Sequence, residues 1–262
     1  MVKENTQRPV ALLLGGSTGL GAATSKKLAA EGYDVVIVHR DRRSDLDEIH
    51  AFFEEIREIG AQCLTFNSDA VLPSKQKILW EEIKSALQGR KIRVVIHSIA
   101  KGNLKPLVGN KETLSNQDMQ LTIQAMAISL LDWVKQIATD QYFENDTRII
   151  AYTSEGNTKA IPNYAAVSAS KAALEAIVRN IALEYASMGI KANCIQAGIT
   201  ATKSLKLIPN YQSLLDNAKI RNPNKRLTTP EDVANAAFLL TLPEAIWITG
   251  TVLKADGGES LQ

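Results

Sequence analysis

Tyr164 and Lys171 are the residues whose types and spacing most directly suggest chemistry. Six residues separate them in the run Ile161-Pro-Asn-Tyr-Ala-Ala-Val-Ser-Ala-Ser-Lys171. On a helix, two turns take about 7 residues, so both side chains leave one face about 10 Å apart along the axis. A phenol that donates a proton and an ammonium beside it indicate proton-transfer chemistry. The alternative is an amphipathic helix that carries a Tyr and a Lys by chance.

A glycine-rich turn near the start of the chain predicts a cofactor for that chemistry. The apolar run Val10–Leu14 leads into Gly15-Gly-Ser-Thr-Gly-Leu-Gly21 and then into an Ala- and Lys-rich helical stretch. Such glycines let the backbone approach a pyrophosphate at a helix N-terminus, where free amides and the helix dipole favour anions. The residues predicted to bind a dinucleotide here are Gly15, Ser17, Thr18, Gly19, Leu20 and Gly21. A glycine-rich turn without a ligand is the alternative.

The residues after the second apolar run bear on which dinucleotide is used. That run ends at His39-Arg40, and Asp41 and two further arginines follow. An NAD site usually carries a carboxylate here for the ribose hydroxyls, whereas a 2′-phosphate favours a guanidinium. Arg40, with His39 beside it, therefore favours NADPH over NADH, and Asp41 just past that position weakens the preference.

Short apolar runs alternate with longer helical patterns along the chain. The strands are predicted at Val10–Leu14, Asp34–Val38, Gln62–Phe66, Arg93–His97, Arg148–Thr153, Lys191–Ile195 and Thr251–Ala255. Helices are predicted near residues 20–31, 44–59, 74–88, 115–140, 163–187 and 230–240. This alternation predicts an α/β fold, with a parallel sheet, right-handed crossovers and helices on both faces.

The chain shows no repeat, low-complexity tract or long linker, so we expect one domain over residues 1–262. Its least regular segment, Ile199–Lys225, follows the sixth predicted strand. Because loops at the carboxyl edge of a parallel sheet hold the ligand, we expect a mobile substrate lid at about residues 199–225. An ordinary surface excursion is the alternative.

Composition argues against several classes of function. The net charge of +2 is too balanced for nucleic-acid binding. Cys63 and Cys194 fit a reducing compartment, and neither they nor the three histidines have metal-ligand spacing. No stretch could span a bilayer, and the N-terminus lacks an apolar signal core. We therefore expect a cytoplasmic protein without a metal, a membrane or nucleic acid as partner.

Over nearly its whole length the chain resembles a short-chain dehydrogenase/reductase. Besides the Gly-x-x-x-Gly-x-Gly turn, the matching segments are Asn67-Ser-Asp-Ala70, Ala192-Asn193, Ala197-Gly198 and Val252 with Asp256-Gly-Gly258. The resemblance implies a single-domain Rossmann fold with a seven-stranded, doubly wound parallel sheet. It also implies that Asp69 and Ala70 border the adenine, while Gly198, Thr200 and Thr202 approach the nicotinamide.

Three departures from the ordinary pattern narrow this resemblance. Ordinary members carry the Tyr four residues before the Lys, where this chain has Val167. They carry Asn-Asn-Ala-Gly where this chain has His97-Ser-Ile-Ala100, and an Asn where it has Gln124. All three departures resemble the enoyl-acyl carrier protein reductase branch, with its six-residue Tyr–Lys spacing and His-Ser-Ile segment. The residues there that would contact the cofactor are Ser98, Ile99 and Ala100.

The shifted tyrosine is chemically reasonable for a carbon–carbon double bond. In carbonyl reduction, the carbon that takes the hydride bears the oxygen that needs a proton. In an α,β-unsaturated thioester the hydride goes to the β-carbon, and charge develops on the thioester oxygen two carbons away. Placing the donor one turn earlier moves it by about 4.5 Å. We therefore expect Tyr164 in the first helical turn after Pro162, donating to the enolate oxygen. The resemblance assigns Lys171 to the ribose hydroxyls, where its charge would lower the Tyr164 pKa.

Ser154 is a further catalytic candidate. It lies ten residues before Tyr164, where many enoyl reductases carry another aromatic residue. Ser154 either bonds the substrate oxygen or is a small residue at a strand end. The sequence offers no explanation for the charge of Glu155 beside it.

These observations favour NADPH-dependent reduction of a trans-2-enoyl thioester in fatty-acid synthesis, by a homotetramer or homodimer. The acyl group would be carried on an acyl carrier protein or CoA. An acidic carrier protein would be attracted by basic residues near the lid, or these form an ordinary solvated surface. They are Lys203, Lys206, Lys219, Arg221, Lys225 and Arg226.

Three other functions stay open. One is carbonyl reduction or alcohol oxidation, as by a 3-oxoacyl-thioester reductase, which leaves Val167 and Gln124 unexplained. The others are a non-catalytic nucleotide-binding subunit and a nucleotide-sensing protein or scaffold. Retention of both Tyr164 and Lys171 argues against these non-catalytic functions.

Overall fold

A parallel sheet organises the computed structural model, which describes residues 7–110, 112–208 and 211–262. Its strands are β1 Val10–Leu14, β2 Asp34–His39, β3 Cys63–Asn67, β4 Ile92–His97, β5 Phe143–Thr153, β6 Ile190–Ala197 and β7 Val252–Ala255. The order across the sheet is β3-β2-β1-β4-β5-β6-β7, and every neighbouring pair is parallel. The predicted α/β fold with seven strands is therefore confirmed.

Helices cover both faces of this sheet. They are α1 Gly19–Ala30, α2 Leu46–Glu58, α3 Pro73–Leu87, α4 Asn116–Ile123, α5 Ser129–Thr139, α6 Ala165–Glu184, α7 Tyr211–Arg221 and α8 Pro230–Leu239. Capping boxes begin α4 at Ser115 and α8 at Thr229, where a hydroxyl accepts from an amide three residues later. A five-residue π turn separates α4 from α5, so the single helix predicted over residues 115–140 is interrupted.

Alternating strand residues build a separate core on each face. Leu12 and Leu14 pack with Trp80 and Trp133, on the face that α3, α5 and α6 cover. Leu13 lies in the opposite core, with residues of α1, α2 and α8. This period of two explains why the strands are apolar throughout, since a parallel strand between two helical layers has no solvent face.

The strand order reverses between β1 and β4, which are neighbours in the sheet although two strands separate them in sequence. At such a switch point the connections leave in opposite directions and open a crevice at the carboxyl ends of the strands. The crevice therefore lies where the glycine-rich turn follows β1 and the segment Ser98–Ala100 follows β4.

The segment predicted to be irregular, residues 199–225, contains α7 and a short 3-10 turn at Leu205–Leu207. No helix was predicted for this least regular segment of the sequence. Among the described residues of α7, only Ala218 is buried, so no apolar stripe marks this helix in the sequence.

Candidate active site

A cleft of about 600 Å³ opens at the carboxyl ends of the central strands. The predicted site residues that line it are Gly15, Ser17, Thr18, Gly19, Leu20, His39, Arg40, Asp69, Ala70, Ser98, Ile99, Ala100, Ser154, Tyr164, Lys171, Gly198, Thr200 and Thr202. Six separate chain segments thus converge on one space. Gly21 is the predicted residue that does not line it.

Close packing explains the glycines of the first turn. A Cβ on Gly15, whose φ is +89°, would lie 2.7 Å from the Ser98 carbonyl oxygen. A Cβ on Gly21 would overlap the carbonyl oxygen of Gly15. Gly21 therefore packs against the Gly15 carbonyl and does not line the cleft. Gly19 is the first residue of α1 and does line it. The first amides of a helix have no intrahelical acceptor, so this arrangement fits the pyrophosphate of a dinucleotide.

Both signs of charge occur where the second strand ends. The side chain of Arg40 is 61% exposed and donates to Asp69 Oδ2 at 2.7 Å. The carboxylate of Asp41 lies 2.8 Å from His39 Nδ1, and both residues line the cleft. The hydrogen bond with His39 holds the pKa of Asp41 below its usual value. A guanidinium and a carboxylate thus both line this part of the cleft.

Tyr164 is the N-cap of α6, and its carbonyl accepts from Ser168 N at 2.8 Å. It lies one position before the first turn in which we expected it. Pro162 lies three positions before Ala165, the first residue of α6. Between them, Asn163 adopts a left-handed φ of +63°. Burial raises the pKa of Tyr164. The phenol is therefore protonated at neutral pH.

Lys171 is buried, and its Nζ donates to the Tyr152 carbonyl oxygen at 2.6 Å. Burial lowers the pKa of Lys171 to about 8. Burial, and not the Lys171 charge, dominates the pKa of Tyr164, so the expected lowering of that pKa by Lys171 is wrong. The Tyr152 carbonyl could not be predicted as the partner of Lys171, since a backbone acceptor belongs to every residue type.

Ser154 directly follows β5, and its hydroxyl lies beside Tyr164 at the cleft. Its Oγ is buried and has no hydrogen-bond partner in the described part of the chain. Close approach of the Tyr164 ring requires Gly156, where a Cβ would lie 2.7 Å from Tyr164 Cε1. An unpartnered hydroxyl therefore lies beside the Tyr164 ring in the cleft.

Neither departure at Val167 or Gln124 adds a polar group to the cleft. Val167 is buried and packs with Val71, Ala125 and Met126. Gln124 begins the π turn, and its Nε2 donates to Asp132 Oδ2 at 3.1 Å, away from the cleft lining. The position one turn after Tyr164 is therefore apolar.

His97, the last residue of β4, is buried in the core next to the site. Its Nε2 lies 2.9 Å from Ser129 Oγ. Burial, followed by the nearby charge of Lys171, lowers the pKa of His97 to about 3. This histidine is therefore neutral. The residues that follow it, Ser98–Ala100, line the cleft.

Three of the six basic residues near the predicted lid have carboxylate partners. Lys203 pairs with Glu48, Arg221 with Glu155 and Arg226 with Asp232. These pairs reduce the positive charge available to an acidic partner. The pair with Arg221 also accounts for the charge of Glu155, which the sequence left unexplained.

In the ranges that the structure describes, none of the helices is long and apolar enough to cross a membrane. The His, Cys, Asp and Glu side chains of these ranges form no group that could hold a metal ion.

Comparison with known proteins places this geometry in context. The family described as "Enoyl-(Acyl carrier protein) reductase" matches residues 15–260. A similar curated protein is 1-cyclohexenylcarbonyl-CoA reductase of Streptomyces collinus, 26% identical over 97% of this chain and 88% of that protein.

Two solved structures share the fold. The enoyl-acyl carrier protein reductase of Bacillus cereus, with NADP+ and indole naphthyridinone, has a TM-score of 0.87 at 24% identity and covers 98% of each chain. A 7α-hydroxysteroid dehydrogenase with NADH and 7-oxo-glycochenodeoxycholic acid has a TM-score of 0.85 at 24% identity, again over 98% of each chain.

Proposed function

The chain belongs to the enoyl-(acyl carrier protein) reductase family of short-chain dehydrogenases/reductases, and we propose that it reduces trans-2-enoyl thioesters with NADPH. The observation that carries the proposal is the placement of Tyr164 at the start of α6, with the buried, apolar Val167 one turn later. The proton donor then lies displaced from the position that carbonyl reduction uses. This is the displacement that the thioester oxygen of an enoyl substrate requires.

In the proposed mechanism Tyr164 donates a hydrogen bond to the thioester oxygen as it becomes an enolate. NADPH, when bound, supplies the hydride to the β-carbon. The raised pKa of Tyr164 keeps the phenol protonated, so that it acts as a donor and not as a base. A fixed donor of this kind stabilises the developing charge more strongly when water is excluded from the cleft than it would in bulk water. A solvent proton completes the reaction at the α-carbon.

Lys171 would hold the nicotinamide ribose hydroxyls in this mechanism. Its Nζ is fixed by the Tyr152 carbonyl, which leaves two of its three N–H donors for other acceptors. With a pKa near 8, most of the side chain is charged at neutral pH. The cofactor would thus be oriented by a cation on the same helix that carries the proton donor.

Arg40 supports NADPH as the preferred cofactor. Its exposed guanidinium lies at the end of β2, beside Asp69, and would pair with a 2′-phosphate. Asp41 favours the 2′-hydroxyl of NADH instead, but its carboxylate already accepts a hydrogen bond from His39. The balance of these two side chains supports NADPH.

Carbonyl reduction is the second candidate, and one observation favours it. The unpartnered Ser154 hydroxyl beside Tyr164 could bond a ketone oxygen. The reaction would then resemble that of the hydroxysteroid dehydrogenase with which this chain shares its fold.

A spectrophotometric assay separates the two candidates. NADPH oxidation is followed at equal concentrations of crotonyl-CoA, trans-2-octenoyl-CoA and acetoacetyl-CoA. The proposal predicts turnover of the two enoyl thioesters and little or none of the ketone. The opposite preference would establish carbonyl reduction. NADPH binding without turnover of any thioester would favour a nucleotide-binding subunit.

We further propose that the protein acts in the cytoplasm as one domain, and as a homodimer or homotetramer. An exposed apolar group supports self-association: Ile246, Trp247 and Ile248 precede the edge strand β7, and Trp247 is 91% exposed. Large exposed apolar patches and uncovered strand edges mark interaction surfaces. Residues 199–225 would form the lid, since Leu205, Ile208 and Leu214 face the cleft.

A further inference from the structure

Arg221, the last residue of α7, joins the predicted lid to the loop that precedes Tyr164. Its Nη1 and Nη2 each donate to one carboxylate oxygen of Glu155, at 2.7 Å. Glu155 directly follows the catalytic candidate Ser154. A guanidinium and a carboxylate that meet through two parallel hydrogen bonds fix orientation as well as distance. The fork therefore ties the end of α7 to the loop that carries Ser154.

The same guanidinium also holds the C-terminal segment. Nη2 donates to the Glu259 carbonyl oxygen at 3.1 Å, and Nε donates to the carbonyl oxygen of Gln262 at 3.3 Å. One side chain thus joins the end of α7 to two parts of the chain that lie far apart in sequence.

Glu259 extends these contacts to the loop after β6. Its side chain is 2% exposed, and its Oε2 accepts from Ile199 N at 3.1 Å. The atoms there are closely packed, since a Cβ on Gly198 would lie 2.9 Å from the same oxygen. Gly198 and Ile199 line the cleft where the nicotinamide is proposed to bind.

Few apolar contacts could replace these bonds. Among the described residues of α7 only Ala218 is buried. The turn after α7 has its own anchor, since Asn222 Nδ2 donates to the Asp256 carbonyl oxygen at 2.9 Å. That anchor does not reach Glu155. The fork is therefore the polar contact through which the end of α7 meets the Ser154 loop.

We propose that Arg221 is a positioning residue that sets the catalytic geometry by holding the Ser154 loop, through Glu155, and the nicotinamide loop, through the C-terminal segment. The inference rests on the proposed function, because it assumes that Tyr164 and the loop at Ile199 meet substrate and cofactor. Arg221 itself touches neither and acts through the two loops. The three acidic and basic side chains form one unit, which we name the Arg221 clasp: Glu155, Arg221 and Glu259.

Steady-state kinetics of R221M and E155Q test the clasp. Methionine keeps the length of the side chain and removes the fork. We expect kcat with crotonyl-CoA to fall about 10–100-fold, since a displacement of about 1 Å can cost that much. The matched control is R57M, because Arg57 also lies near a helix end and donates to Glu54 at 2.6 Å and to the Cys63 carbonyl at 3.1 Å, away from the cleft. R57M should stay within about 2-fold of wild type.

A double-mutant cycle distinguishes positioning from a general loss of structure. If Glu155 acts through Arg221, the double variant E155Q/R221M should lose no more kcat than R221M alone. Additive losses, or an R221M variant within about 2-fold of wild type, would overturn the proposal. Should R221M fail to fold, E155Q alone carries the test, and an unchanged kcat in E155Q would overturn it.

A readout without substrate separates this inference from the proposed function. Endoproteinase Lys-C cleaves after Lys203 and Lys206 within the lid, and its specificity is unaffected by substitution of an arginine. We expect faster cleavage there in R221M than in wild type or R57M. Equal rates would overturn the clasp even if the protein proved to reduce ketones. Faster cleavage in a protein that turns over no enoyl thioester would support the clasp and contradict the proposed function.

Discussion

Tyr164 and Lys171 have separate partners, although they lie on the same helix. Lys171 Nζ is held by the Tyr152 carbonyl, and Tyr164 packs beside Ser154 and against the apolar cluster around Val167. A substrate oxygen at Tyr164 would therefore be stabilised by a neutral donor, with the lysine acting through the cofactor. This division of roles makes the two residues separable by experiment.

Replacing Tyr164 by Phe removes the donor and keeps the ring. We expect kcat with crotonyl-CoA to fall about 10²–10³-fold, as for loss of one oxyanion donor. NADPH affinity, measured by fluorescence titration, should change by less than about 2-fold. Unchanged turnover in Y164F would defeat the assignment of Tyr164. Ser154→Ala serves as a comparison: a loss as large as that of Y164F would show that the serine shares the substrate oxygen.

The pH profile should report Lys171. Its pKa is lowered from the ordinary lysine value to about 8, so its charge is present below that pH and is lost as pH rises through it. We expect kcat/KM to fall as pH increases above about 8, while Tyr164, whose pKa is raised, stays protonated there. In K171R the remaining activity should not fall in this window, because arginine stays charged. The same fall in both proteins would assign the titration to another group.

Arg40 decides the predicted cofactor preference. In R40A we expect the KM for NADPH to rise roughly 10–100-fold, since a hydrogen bond to a charged group contributes about 1.5–3 kcal/mol. The KM for NADH is the internal control and should change little. An equal rise for both cofactors would show that Arg40 positions the adenine through Asp69 without reading the 2′-phosphate.

Among the structural elements, the turn after β1 has no room for side chains at Gly15 and Gly21. A Cβ at Gly21 would overlap the Gly15 carbonyl, so G21A should displace α1 from the strand. We expect loss of NADPH binding and a fall in the free energy of unfolding of at least about 1–3 kcal/mol, the usual cost of overpacking. The control is G109A, where the nearest atom would lie 4.0 Å away. Denaturant unfolding of both variants provides the measurement, and equal stability would contradict this packing.

The strands and most helices could be predicted because burial repeats regularly in them. β1 is buried at every position, and α2 buries Ile49, Phe53 and Ile56 at helical spacing. α7 was missed because its attachment depends on ionic and backbone contacts at its end. The π turn at Gln124 was missed because a shift in hydrogen-bond register leaves no mark in residue type.

The residues of the candidate site could be predicted because each one follows a strand, where the topology gathers them. Their partners could not be predicted. Glu155 and Arg221 are 66 positions apart, and a contact between two charges at that separation has no local pattern. The Tyr152 carbonyl likewise carries no sequence signal. Sequence therefore indicates which residues meet, and the structure adds what fixes their orientation.

At the scale of the whole molecule, the uncovered edge of the sheet predicts self-association. Trp247 is nearly fully exposed beside β7, and buried tryptophans commonly dominate the energy of interfaces. Sedimentation should show a dimer or tetramer for wild type and smaller species for W247D. The control I78D places a charge on an exposed apolar position of α3 and should leave the assembly intact. A monomeric wild type would contradict the predicted oligomer.

In the proposed reaction, charge forms on an oxygen displaced from the carbon that takes the hydride. The test is to give the enzyme NADPH that carries deuterium at the transferring C4 position, with crotonyl-CoA and acetoacetyl-CoA in competition. We expect deuterium at the β-carbon of butyryl-CoA and a solvent proton at its α-carbon, with both positions read by mass spectrometry and NMR. Deuterium at the former ketone carbon of 3-hydroxybutyryl-CoA, with crotonyl-CoA recovered unchanged, would contradict it.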